Sequence, residues 1–172
     1  LYGAAVSWCV SGNREIRLAE ALDAHLAEGF GQVLLELGDV YRLCGALRGN
    51  GTELFQILSK PRSRPVAAGV TPETLCAVLA RVEEAERSTL NVQRSTVGQE
   101  VEQVIRLLRA ACHRGLALLN GGIDCPATRQ ALAAELDELG AAHRRVWRLR
   151  NREGGLDDSL ARLLGIRAEY LP

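Results

Sequence analysis

The sequence predicts an all-α protein, and three observations carry that expectation. Apolar residues recur at spacings of three and four through the back two-thirds of the chain. Capping and breaking residues bracket those same stretches. No stretch alternates apolar and polar residues with period two for long enough to read as a strand.

The elements follow in order. Residues 1–10 are small and apolar, without a cap or an initiating methionine. Tyr2, Val6, Cys9 and Val10 lie at helical spacing, so this stretch reads as the tail of a helix begun upstream. Ser11-Gly12-Asn13 breaks it. Leu18, Leu22 and Leu26 then define a short amphipathic helix stopped at Gly29. A second helix is predicted over residues 32–47, with Val33, Leu34, Leu37, Tyr41 and Cys44 on one side. Gly49-Asn50-Gly51 is a turn, after which Thr52 caps a short helix through Ile57 and Leu58. Residues 61–71, with Pro61, Pro65 and Gly69 among basic residues, form a linker. It divides short helices over residues 1–60 from a bundle over residues 72–172.

The bundle is the clearest reading. Thr71-Pro72-Glu73 is a helix start, with Thr as N-cap, Pro in the first helical position and an acid in the first turn. Leu75, Val78, Leu79 and Val82 follow at helical spacing. A second long helix carries Val97, Val101, Val104, Leu108, Cys112, Gly115 and Leu119, and ends at Asn120-Gly121-Gly122. Pro126 opens a third, with Leu132, Leu136, Leu139, His143 and Val146. Three apolar seams on short connections predict an up-down-up three-helix bundle, followed by a C-terminal helix.

Composition narrows the function classes. Lys+Arg and Asp+Glu both number 21, and this balance argues against a dedicated nucleic-acid binder. Arginine outnumbers lysine twenty to one, the mark of a GC-rich bacterial genome. Five cysteines at irregular spacing predict buried free thiols in a reducing compartment, not a disulfide scaffold. No apolar run approaches the roughly 20 residues that cross a bilayer, so the cytoplasm is the expected location, without membrane or nucleic-acid partners.

Each candidate site has a plainer alternative. Arg144, Arg148 and Arg152 recur four apart, with Arg145 and Arg150 alongside. They suit a phosphate patch, yet Glu83, Glu84, Glu86, Glu100 and Glu102 fall at the same end of the predicted bundle, so ion pairing is the expectation. His25, His113 and His143 would need to converge with cysteines or carboxylates to hold zinc. The adjacent pair Cys112-His113 points in different directions, and no metal or cofactor is predicted. Cys125, in a turn before Pro126, reads as an inert thiol. Trp147 reads as a packing anchor, as does Trp8. Gly49-Asn50-Gly51 and Gly121-Gly122 lack the phosphate-loop pattern and are read as turns.

The end of the third long helix is the most informative stretch. Trp147, Arg150, Asn151, Arg152, Gly154, Gly155, Leu156, Asp158 and Ser159 compose a joint between two helices. Gly154-Gly155 is expected to supply the left-handed residues that end one helix, and Asp157, Asp158 and Ser159 to open the next. This run resembles the W-x-x-R-N-R-P-G-G-L-x-D-S signature of bacterial family 20 glycoside hydrolase-like proteins, the β-N-acetylhexosaminidase relatives, with Glu153 where that pattern has Pro. The front, Tyr2-Gly3-Ala4-Ala5-Val6-Ser7-Trp8, then Asn13 and the Leu18–Leu26 helix, is similar to the stretch after the barrel in the same proteins. The resemblance implies a catalytic barrel with an adjacent Asp–Glu pair, in which the Glu is the general acid and the Asp orients the substrate's acetamido group. No residue of this chain matches that pair, so no catalytic residue is carried over. What it implies here is a non-catalytic helical C-terminal domain that packs beside an upstream barrel, or forms a homodimer. A free-standing helical protein–protein interaction module is the alternative. A small bundle whose Trp147 and arginines form an anion pocket is a third reading.

Overall fold

The computed structural model describes residues 14–26, 29–46, 51–89 and 95–170. Among them all regular structure is helical, and no strand is present. In chain order the helices are α1 (Leu18–Leu26), α2 (Gly31–Asp39), α3 (Glu53–Ser59), α4 (Pro72–Thr89), α5 (Thr96–Leu119), α6 (Pro126–Arg150) and α7 (Leu156–Arg167). Residues 1–13, on which the readings of Trp8, Cys9 and the front motif rest, lie outside the described residues.

Local chemistry sets most of the helix starts. Thr52 Oγ1 accepts from the Phe55 amide at 3.1 Å to begin α3. Thr71 Oγ1 accepts from the Thr74 amide at 3.3 Å while the Thr71 amide donates to Thr74 Oγ1 at 2.9 Å. This reciprocal pair is a capping box with threonine at its third position. Ser95 Oγ accepts from the Gly98 amide at 2.9 Å to begin α5, a cap beyond those singled out in the sequence. Pro126 stands at the start of α6, as its fixed φ favours.

Two sequence expectations are corrected. The helix predicted over residues 32–47 is α2 followed by a 3-10 turn over Val40–Cys44, and Gly45 at φ +82° ends it. The end of that turn is also a close backbone approach. A Cβ built on Gly45 would lie 1.9 Å from the Gly69 carbonyl oxygen, and one on Gly69 would lie 2.0 Å from the Gly45 carbonyl oxygen. Only glycine fits at both positions, so the segment around Gly69 is seated directly on the end of the 3-10 turn. The second correction concerns α5. Val104, expected in the seam, is 43% exposed, while its neighbour Ile105 is fully buried.

The helix α5 packs against α3 and α4 as well as α6. The assembly is thus larger than three helices, and α5 turns Ile105 rather than Val104 inward. Neighbouring long helices run in opposite senses: His113 of α5 meets Glu135 of α6, while Glu100 meets Arg150. One apolar cluster extends from Phe30 and Val33 of the front through Leu75, Val78, Val82 and Ile105 to Leu163, Ile166 and Tyr170. At about 25 cal/mol per Å² of apolar surface, burial on this scale is the dominant stabilising contribution.

Two charged groups are also buried. Glu53 is 1% exposed, and its carboxylate takes both guanidinium nitrogens of Arg64, at 2.8 and 2.9 Å, plus the Ala67 amide at 3.2 Å. Arg114 is 2% exposed and donates to the Ile57 carbonyl, the Tyr170 hydroxyl and, at 3.4 Å, Glu169. Buried charges persist only where the partner set is this complete.

Candidate functional site

The joint singled out in the sequence is built by α6 and α7. Helix α6 ends at Arg150, with Asn151 extended at its C-cap and the Asn151 amide donating to the Trp147 carbonyl at 2.9 Å. Trp147 folds back over the turn, and its indole N–H donates to the Arg152 carbonyl at 2.7 Å. Gly155 adopts φ +84° beneath that ring, where a Cβ would sit 3.7 Å from Trp147 Cζ2. Gly154 is not left-handed, and Gly155 stands at the entrance to α7 rather than at the exit of α6. The expectation that both glycines end the preceding helix is therefore corrected: Asn151 leaves α6 in an extended conformation, and a single left-handed residue then starts α7.

The remaining motif residues serve the same joint. Leu156 is buried, and its amide donates to the Glu153 carbonyl at 3.1 Å. Asp157 and Asp158 occupy the first turn of α7, where negative charge suits the helix dipole. Ser159 Oγ lies 2.9 Å from His143 Nε2, and the His143 ring leans on Trp147 with centroids 5.8 Å apart. Burial pushes the His143 pKa down, which favours the neutral ring.

The arginines pair more locally than their spacing suggests. Arg150 reaches Glu100 at 2.6 Å, as expected, but Arg148 takes Glu153 at 2.6 Å and Arg144 takes Asp157 at 3.6 Å. The hydrogen bond from Arg148 holds the Glu153 carboxyl below its usual range. Glu86 pairs with Arg109, Glu102 with Arg106 and Glu84 with Arg81. Among the described residues Arg145 and Arg152 make no ion pair, so the cluster is not gathered onto one anion-binding point.

The imidazoles and thiols are dispersed. His25 is exposed on α1, and His113 pairs with Glu135 at 3.0 Å, a hydrogen bond that raises its pKa. Among the described residues no three His, Cys, Asp or Glu side chains are placed to hold a metal ion. Cys44 and Cys112 are buried free thiols whose pKa values burial pushes up to about 11 and about 12. Cys76 and Cys125 are exposed. At the start of α6, the nearby Thr128 amide and hydroxyl and the Ala127 amide favour the thiolate and lower the Cys125 pKa.

The feature that sequence reasoning missed is a pair of surface grooves flanking the first half of α5. One, of about 500 Å³, lies between α1, α2 and α5, and the other, of about 330 Å³, lies among α3, α5, α6 and α7. Val104 lines both. The adjacent apolar pair Val104-Ile105 was the available signal, since it widens the apolar face of α5 beyond the seam read for it. No protein-family model, curated protein or solved structure matches the chain.

Proposed function

We infer that the chain is a helical packing domain, with no reaction of its own, that offers an apolar face to another protein surface. The groove between α1, α2 and α5 carries this reading. Leu26, Leu34, Leu37, Val97, Val101 and Val104 line it, and its two charged neighbours, Glu100 and Arg150, already neutralise each other. Such a surface favours association by burial rather than by electrostatic steering.

The resemblance of both ends of the chain to family 20 glycoside hydrolase-like proteins makes a sugar-hydrolase barrel in the same polypeptide the first candidate for that surface. A second copy of this chain comes next. A free-standing interaction module would use the same groove for a different protein. The coding sequence upstream of Leu1 separates these cases: a barrel bearing an adjacent Asp–Glu pair supports the first, and a start codon beside Leu1 supports the last.

The packing role itself is tested with Gly38→Glu. Gly38 lines the groove, and a Cβ there meets no atom within 4 Å, so the substitution charges the groove without crowding the chain. Isolated chain should melt as before. In the polypeptide joined to its upstream neighbour, or in a self-associated form followed by sedimentation, the variant should lose the stabilisation that contact gives. Identical behaviour of variant and parent in both settings would remove this groove from the reading.

A further inference from the structure

The second groove differs from the first in size and in its edge. At about 330 Å³ it falls at the small end of the range for small-molecule sites, about 300–1,000 Å³. Phe55 and Leu58 of α3 form one wall, and Val104 and Leu108 of α5 form the other. Phe55 and Val104 are each 43% exposed, so the apolar surface is open to solvent.

His143, Ser159 and Arg162 line the α6–α7 side of the groove, and Thr52 and Ser59 line its α3 side. Ser159 and Arg162 are three apart on α7 and share a face. Among the described lining residues there is no carboxylate. The acids nearby in sequence do not neutralise Arg162: Asp157 pairs with Arg144, Asp137 pairs with Arg167, and Asp158 makes no ion pair with it. Among the described residues the slot thus carries one cation without an ion pair, the exposed Arg162, with the Ser159 hydroxyl beside it, while the Thr52 and Ser59 hydroxyls on its α3 side are bonded to the α3 backbone.

We propose that this groove binds an amphipathic monocarboxylate, an alkyl chain of medium length bearing a single anionic head. The chain lies between α3 and α5, and the carboxylate meets the Arg162 guanidinium and the Ser159 hydroxyl. With its proton on Nε2, His143 donates to Ser159 Oγ, and the hydroxyl proton is then free to be donated to the ligand. This role does not rest on the packing reading, although Val104 borders both grooves.

The test is calorimetric titration of the whole chain with decanoate, decanol and acetate, below the concentrations at which they aggregate. Decanoate should bind one to one, decanol at least tenfold more weakly, and acetate not measurably. Arg162→Gln should bring decanoate down to the level of decanol and leave decanol unchanged. Val104→Trp, at an exposed position, should abolish both while the melting temperature stays put. Chemical shifts of the unaltered protein provide a check that needs no variant, since decanoate must perturb Phe55, Val104 and Ser159. Absence of decanoate binding, equal affinity for acid and alcohol, indifference to Arg162→Gln, or perturbations confined to other residues would each overturn the proposal.

Discussion

The two halves of α5 solve opposite problems. The C-terminal half is the more enclosed, with His113 and Leu119 its exposed residues. Ala110, Ala111, Cys112, Arg114, Gly115 and Ala117 are all buried, and Arg114 is held by groups from α3 and the C-terminal turn. The N-terminal half is open. Val104 faces solvent between two grooves, and the buried Gln103 leaves its Oε1 without a partner among the described residues. A single helix can therefore anchor a fold at one end and offer apolar surface at the other, according to which elements reach each turn.

The comparison is broken most forcefully at Arg114. Arg114→Met strands the Ile57 carbonyl and the Tyr170 hydroxyl, and should cost about 3 kcal/mol in urea unfolding. Val104→Ala in the open half should change the midpoint little. A small cost at Arg114 would show that the more enclosed half is not the anchor. Gly115→Ala comes next. Its Cβ would lie 2.7 Å from Leu75 Cδ1 and 3.4 Å from Ile57 Cδ1, so overpacking of about 1–3 kcal/mol should outweigh the helix-propensity gain of about 1 kcal/mol. A variant that melts higher than the parent would mean that this contact has slack.

Gln103→Leu should act in the other direction. Its Nε2 donates to the Leu139 carbonyl only at 3.5 Å, so removing the stranded oxygen should stabilise by about 1 kcal/mol. Destabilisation would imply that Gln103 is satisfied in solution.

The smallest effect is read with pH. Hydrogen bonding to Glu135 raises the His113 pKa in the folded state, so its contribution is complete below about pH 6.5 and is lost as pH rises through the raised value. Burial lowers the His143 pKa, so the folded state resists protonation, and stability falls as pH drops below about 6.5. Unfolding midpoints between about pH 5 and about pH 8 should therefore lose their alkaline slope in His113→Gln and their acid slope in His143→Gln. The effect at His113 is small because its side chain is nearly half exposed and water screens the pair. Loss of the same slope in both variants would refute the assignment.

Several helices were legible because their starts carry their own chemistry. Thr52, Thr71 and Pro126 mark their helices in the sequence as clearly as in space, and the apolar stripe of α6 lands on Leu132, Leu136 and Leu139 as expected. What stayed hidden depends on distant partners. Nothing local in Val40–Cys44 says that a 3-10 turn must form, and the contact that requires glycine at its end comes from Gly69, distant in sequence. The grooves were hidden for the same reason. An apolar residue at helical spacing reads as core until the number of helices around it is known, and Val104 has neighbours on either side but none above it. The polar edge formed by His143, Ser159 and Arg162 needed the α6–α7 joint to be closed before its members could be seen together.

The mutual glycine contact between positions 45 and 69 has a bearing on how the gene can be handled. Any break introduced between those two codons separates two backbone segments that touch, and neither glycine has a side chain with which to find a substitute. Fragments produced there should be poor recombination modules yet good complementation partners, since recovery of the parent circular dichroism on mixing would require the two carbonyls to be seated again.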